Sequence, residues 1–213
     1  MHLFPKKLSD GYFSFLSAGF HNERKKYENL ATSGQNPEIM VIGCCDSRVS
    51  PEVIFDTSPG EIFVVRNVAN LVPIFEDEHS ESYHGTSAAI EFAVNGLNVK
   101  HIVILGHASC GGIKSFIEDQ HPLSKMDFIG KWMSQIVPVA NQLNIKVGNY
   151  KPGDIKKLEL GVVQHSINNL LSFPSIRTRV NQGKLHIHGA YFLISTGILF
   201  IKKGTSFTPL IKN

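Results

Sequence analysis

A chain of 213 residues, 42% hydrophobic and 18% charged, is long enough for one large domain with a sizeable core and has an ordinary globular composition. Its formal charge of +3, from 21 basic and 18 acidic residues, makes no electrostatic case for nucleic acid; the basic residues fall in scattered pairs (Lys6-Lys7, Lys25-Lys26, Lys156-Lys157, Lys202-Lys203) that read as solvated surface. The longest apolar run is far short of a membrane span, and three cysteines confined to two short stretches are no disulfide framework but fit metal binding or thiol chemistry in a reducing compartment.

The first residues, Met-His-Leu-Phe-Pro-Lys-Lys, carry charge where a signal peptide needs its apolar segment, so a cytoplasmic protein is expected. Leu8 to Leu30 places Tyr12, Phe13, Leu16, Phe20, Tyr27 and Leu30 at roughly helical spacing, with Gly19 working against one continuous helix. This arm either packs on the body or docks its aromatic stripe on a second subunit. A loop at 32–37 leads to a strand from Ile39 to Ile42. Asp46 to Glu52 turns away from the sheet, Ser58-Pro-Gly60 is a turn, and Glu61 to Val65 is a second strand ending in Arg66-Asn67. Residues 73–84, with four acidic residues, two histidines and no periodicity, read as a loop in which His79 and His84 are solvated.

A helix is predicted from a cap near Thr86 through Leu97, then a strand over Ile102–Leu105, a helix over Lys114–Asp119, and a longer one over Asp127–Leu143 broken at Pro138. Ile155 to Leu171 is a further amphipathic helix with Pro174 beyond its end. Leu185–Ile194 and Ile198–Lys202, on either side of Thr196-Gly197, suggest a closing hairpin. The expected fold is therefore α/β: a mostly parallel sheet flanked by helices, with an antiparallel edge strand and an N-terminal helical arm over residues 1–36 of a single domain, 1–213.

Chemistry-bearing residues concentrate at two strand ends. Ile102–Leu105 is an unbroken apolar run, read as a buried parallel strand, and it stops at Gly106 before His107 and Cys110, two soft metal ligands. Gly111 and Gly112 follow, allowing close approach of the backbone. The strand Met40-Val-Ile-Gly43 likewise ends in Cys44-Cys45-Asp46-Ser-Arg48. In an open α/β sheet, ligands bind at the carboxyl ends of strands. Adjacent cysteines on extended backbone point to opposite sides, so Cys44 or Cys45, but not both, joins His107 and Cys110. The fourth place is then left for water or Asp46, which is the composition of a catalytic rather than a structural zinc site. The competing reading is a set of buried, unligated thiols. Asp46 and Arg48 read as an ion pair that fixes a carboxylate as acceptor, against a loop salt bridge of little consequence. His186 and His188 share a strand face without a nearby Cys or acidic partner and read as core or interface histidines.

Cys44-x-Asp46-Ser47-Arg48 followed by His107-x-x-Cys110-Gly-Gly closely resembles the β-class carbonic anhydrases. The likeness extends through Phe63-Val-Val-Arg66-Asn-Val-Ala-Asn70-Leu-Val-Pro and Gly85-Thr-Ser-Ala-Ala-Ile-Glu-Phe-Ala-Val, and more loosely to Asn168-Asn-Leu-Leu and His188-Gly189, roughly residues 8 to 203. The resemblance implies Cys44, His107 and Cys110 as ligands of one Zn2+ per chain, and Asp46 and Arg48 as a catalytic dyad. It also implies Gln35 and Phe63 as substrate-pocket residues of the plant-type subclass, with backbone N–H at Gly111 and Gly112 offered to substrate. Gln35 would come from the partner subunit of a homodimer, or of a tetramer, whose N-terminal arms embrace. Departures from the family pattern are Phe92 where many members carry Tyr, Ala190 where an aromatic is frequent, and the additional thiol Cys45.

The implied function is reversible hydration of carbon dioxide to bicarbonate and a proton by attack of zinc-bound hydroxide. Activity should rise toward alkaline pH, because two thiolates cancel the metal's charge. CS2 or COS hydrolysis on the same fold, and a non-catalytic zinc or thiol-redox module, are the alternatives. Carbon dioxide or bicarbonate and further copies of the chain are the expected partners, with neither nucleic acid nor membrane. Bacterial-type members that close their site, with Asp moving onto zinc under bicarbonate control, carry a Trp where this chain has Val41; an open site is therefore expected.

Overall fold

The computed structural model describes residues 4–76, 85–119 and 128–212. The N-terminal arm is one unbroken helical run over residues 6–33, in spite of Gly19. Helix α1 (Lys6–Ser14) passes through a π-helical turn, Phe15–Phe20, into α2 (His21–Ser33). Gly19 makes room for the Phe15 ring, whose Cδ2 would lie 3.0 Å from a β-carbon there. Phe15, Phe20 and Tyr27 then cluster with ring centroids 5.2–6.0 Å apart. The arm meets the body through Lys26–Glu61, Ser58–Glu23 and Leu30 over Gly60, and no residue of its helical run over 6–33 is buried within the chain.

Strand β1 (Ile39–Cys44) is followed by a short helix, α3 (Pro51–Ile54), and by β2 (Ile62–Asn67). Both strands run further than their apolar cores predict, because Arg66 and Asn67 stay in register with Gly43 and Cys44. The second half of the acidic loop, with His79 and His84, lies outside the described residues. After it come α4 (Gly85–Glu91) with a π-helical end at Phe92–Gly96, β3 (His101–His107), and α5 (Gly111–Glu118), which starts earlier than its apolar positions indicate. The expected long helix with a break at Pro138 is two helices, α6 (Phe128–Met133) and α7 (Val137–Gln142), joined by a 3-10 turn, with Pro138 in the first turn of α7; its expected start at Asp127 lies outside the described residues.

Helix α8 (Asp154–Leu170) matches its periodicity. Two elements were not expected. Pro174, read only as a terminator, opens α9 (Pro174–Asn181), where a missing N–H costs nothing. The hairpin β4 (His186–Leu193) and β5 (Ile198–Lys203) is extended by an edge strand, β6 (Ser206–Pro209).

The sheet order is β2-β1-β3-β4-β5-β6, parallel from β2 to β4 and antiparallel beyond. One face, with Met40, Ile42, Ile102 and Ile104, is buried under α4, α8 and α9 through Ile90, Val163, Leu170 and Ile176. The other carries Val41, Leu105 and Ala190 at its centre, with Ile39, Ile62, Val64 and Val103 only partly buried around them. A third cluster, around Ile113, Ile117, Met133, Ile136, Leu158 and Val162, takes in Cys44 and Cys110 and so supports the carboxyl edge of the sheet. His186 and His188 project with His101 from the second face near the opposite end. The rings of His186 and His188 lie 5.4 and 5.2 Å from that of His101, and both side chains are exposed, so they are not core histidines.

Candidate metal centre and acid–base pair

Cys44 ends β1 and His107 ends β3, and the parallel register Gly43↔Leu105 sets the two strand ends side by side. The chain leaving β3 turns tightly through Ser109 at φ +58° and delivers Cys110 immediately before α5. A β-carbon on Gly112 would stand 2.7 Å from Val68 Cγ1, so glycine there lets α5 close on the turn after β2. The result is one buried group: a nitrogen of His107 and the sulfurs of Cys44 and Cys110 all within 4.8 Å of one another, with the sulfurs 4.0 Å apart. Cys45 is exposed, its backbone N–H bonded to Asn67 O, and its side chain lies outside this group.

The imidazole is oriented from its own backbone. Nδ1 of His107 lies 2.9 Å from the Ala108 carbonyl, a contact that requires its proton there. Nε2 then presents a lone pair, and among the described residues it is buried with no hydrogen-bond partner. A hydrogen bond from Cys110 draws the pKa of Cys44 below the ordinary thiol value against the opposing effect of burial. The same contact, with burial, holds the Cys110 thiol above its ordinary value. Burial opposes charging of His107, yet the Cys44 sulfur lifts its pKa above the ordinary value. A buried imidazole nitrogen with no hydrogen-bond partner and two sulfurs, all within 4.8 Å of one another, are a donor set that suits Zn2+.

Asp46 sits two residues past Cys44, held by Arg48. Oδ1 accepts from Arg48 Nε at 2.9 Å and from the Arg48 backbone N–H at 3.0 Å, while Oδ2 accepts from Nη2 at 2.6 Å. These bonds keep the Asp46 carboxyl well below the usual carboxylate range. Arg48 Nη2 also donates to Ser109 O at 3.1 Å, tying the loop after β1 to the turn after β3.

Sequence reasoning overlooked three supporting residues. Arg66 donates to the carbonyls of Cys44 and Asp46 at 2.8 and 2.7 Å. Asn67 closes the turn at Ala69 and Asn70, both with positive φ, through paired bonds to Leu71. Glu159, from α8, accepts from the Cys110 N–H at 3.1 Å and from Tyr191 Oη at 2.6 Å; burial raises its carboxyl while these donors work the other way. Only Arg66 had any signal in the sequence, as a charge ending an apolar strand.

The remaining expected site residues are not all brought to this group. The β-carbon position of Gly111 faces open space, whereas the N–H groups of Gly112 and Ile113 favour the Cys110 thiolate. Phe63 pairs in register with Met40, four residues and about 13 Å up the strand from Cys44. Its ring lies 5.9 Å from that of Phe92, which is 54% exposed. Gln35 is exposed between α2 and β1.

Residues 39–199 match the carbonic anhydrase family profile. Beta carbonic anhydrase 3 of Arabidopsis thaliana is 35% identical over 190 residues, 88% of this chain and 72% of that protein. Among solved structures, the β-carbonic anhydrase CcaA superposes with a TM-score of 0.86 at 26% identity, covering 97% of this chain and 92% of that one. A tetrameric β-carbonic anhydrase of the ascomycete Sordaria macrospora gives a TM-score of 0.77 at 29% identity, over 95% and 97% of the two chains. With the profile running through both cysteine-bearing strand ends and likeness continuing over nearly the whole chain, this protein belongs to the β-class carbonic anhydrases.

Proposed function

We propose that the chain catalyses the reversible hydration of carbon dioxide to bicarbonate and a proton, with one Zn2+ held by Cys44, His107 and Cys110. The observation that carries this is a buried Cys-His-Cys group joined by Arg48 to an ionised carboxylate on the neighbouring loop. Zinc, when bound, supplies the Lewis acid that makes water nucleophilic near neutral pH. Asp46 is a hydrogen-bond acceptor held in fixed orientation. Oδ1 is saturated by two donors from Arg48, but Oδ2 takes only one and keeps a lone pair for the attacking water's hydrogen. Arg48 prevents Asp46 from protonating or turning, so the acceptor is present before substrate arrives.

Gln35, from the partner subunit, and Phe63 serve the substrate pocket; Phe63 stands about 13 Å up β2 from the end that pairs with Cys44. A second copy is also what the arm calls for. Phe4, Leu8, Tyr12 and Phe13 are each more than half exposed, and the outer sheet face leaves Ile62, Val64 and Val103 partly uncovered. The arm, residues 1–36 of a single domain, packs on this partner in a homodimer or higher assembly. Three free cysteines suit a reducing, cytoplasmic setting, and among the described residues no helix is long and apolar enough to cross a membrane.

Stopped-flow assay of CO2 hydration on metal-quantified protein tests the proposal, with COS and CS2 offered to the same preparation. CO2 hydration proportional to zinc content, rising toward alkaline pH, is expected. One zinc per chain without CO2 hydration would overturn it.

A further inference from the structure

Glu159 is a charge-bearing side chain in an apolar part of the molecule, and the chemistry described above does not use it. It lies on α8, 3% exposed, among Leu158, Val162 and Val163. Its two oxygens reach in different directions. Oε1 accepts the backbone N–H of Cys110 at 3.1 Å; Oε2 accepts the hydroxyl of Tyr191, itself 2% exposed, at 2.6 Å. Tyr191 stands on β4 in register with Gly106, next to His107. One carboxylate thus links α8, β4 and the turn that carries two of the three sulfur and nitrogen ligands.

That turn needs an external hold. Ser109 is in the left-handed region at φ +58°, which is unfavourable for a non-glycine residue, and Cys110 precedes α5, so its N–H has no partner within the helix. A buried N–H left unpaired would relax toward any acceptor, carrying the Cys110 side chain with it. We propose that Glu159, steadied by Tyr191, is a positioning residue for the metal site: it fixes the Cys110 peptide and thereby the direction in which Cys110 Sγ meets the ion. The inference rests on the zinc reading above and adds a residue that neither binds the ion nor touches substrate.

The test is zinc affinity, measured on metal-free protein by competition with a chromophoric chelator, together with the absorption spectrum of the Co2+-substituted protein. Wild type is titrated first; absence of one tight metal per chain would overturn the functional proposal itself. Glu159→Ala should raise the zinc Kd by about 10- to 100-fold, the usual range for groups that orient metal ligands, and should shift the Co2+ bands. Glu159→Gln keeps an amide oxygen for Cys110 N–H and an amide N–H for Tyr191 oxygen, so it should restore affinity and spectrum toward wild type. Tyr191→Phe, which changes little volume, should shift both in the direction of Glu159→Ala but less.

A merely structural role would lower the melting temperature of metal-free Glu159→Ala while leaving its zinc Kd and Co2+ spectrum as in wild type, and that result overturns the proposal. Should Glu159→Ala not fold, wild-type affinity and spectrum in Tyr191→Phe overturn it equally. So does a Glu159→Gln protein whose affinity falls to an alanine-like level, since that would implicate charge rather than the hydrogen bond.

Discussion

Asp46→Asn isolates the acceptor from the metal. In the native loop both carboxylate oxygens face donors of Arg48, at 2.6, 2.9 and 3.0 Å. An amide can offer oxygen to only one side of that fork, so whichever way it turns, an NH2 group confronts a guanidinium N–H. Losing one charge-assisted hydrogen bond is worth about 1.5–3 kcal/mol. At 1.36 kcal/mol per factor of ten, a loss of this size in the transition state is about 10- to 150-fold in kcat. Arg48 is half exposed, so solvent screening favours the lower half of that range. Zinc content should not change, because Asp46 is outside the Cys44, His107 and Cys110 group. Stopped-flow hydration on protein of measured zinc content reads both quantities. Near-wild-type kcat at full zinc occupancy would refute the role assigned to Asp46, and loss of zinc would show that Asp46 is itself a ligand.

Cys44→Ser and Cys110→Ser should each abolish stoichiometric zinc, while Cys45→Ser keeps it; metal analysis showing the reverse for Cys44 and Cys45 would exchange their roles. Metal-free protein should retain one thiolate at neutral pH, seen by its ultraviolet absorbance, and lose it only as pH falls well below the ordinary thiol range, since Cys44 is held charged by its bond from Cys110. Absence of thiolate at neutral pH would contradict this. Gly106→Ala should destabilise the protein by about 1–3 kcal/mol in denaturant unfolding, because the new methyl would lie 2.5 Å from Val163 Cγ2 and force α8 off the sheet. Bicarbonate should inhibit hyperbolically, since Val41, at the position that distinguishes regulated members, is buried in the sheet face beside Leu105 and Ala190. Sigmoidal inhibition would refute that.

The parts of the site legible in the sequence are those whose chemistry and backbone position coincide. Cys44, His107 and Cys110 stand at the ends of apolar runs, and parallel strands must bring such ends to one edge. What was hidden depends on contacts between elements far apart in the chain. Glu159 occupies the same face of α8 as Leu158 and Val162, so periodicity alone marks it as a polar interruption, not as the acceptor for a turn 49 residues away. Helix propensity alone marks Gly19 as a break, whereas its use is steric room for Phe15 within a π-helical turn. Pro174 shows the same ambiguity from the other side: a residue that cannot continue one helix is well suited to begin the next.

The supports around the ligands are cross-linked rather than independent. Arg66 grips the carbonyls of Cys44 and Asp46, which fixes the loop after β1 against β2. Arg48 bonds Asp46 on that loop and the Ser109 carbonyl on the turn after β3, so this ion pair also joins the two segments that carry Cys44 and Cys110. Glu159 holds the same turn from below through Cys110. Moving Asp46 away from Arg48 would therefore give up more than one ion pair: it would free the guanidinium that bridges the segments carrying Cys44 and Cys110. A state with Asp46 turned toward the metal has to offset a charge-assisted contact and the loss of this bridge together, and a ligand can drive such a change only through a difference in affinity between the two states. Val41 is packed into the sheet face, and the same bonds that orient the Asp46 carboxylate oppose its turning away from Arg48.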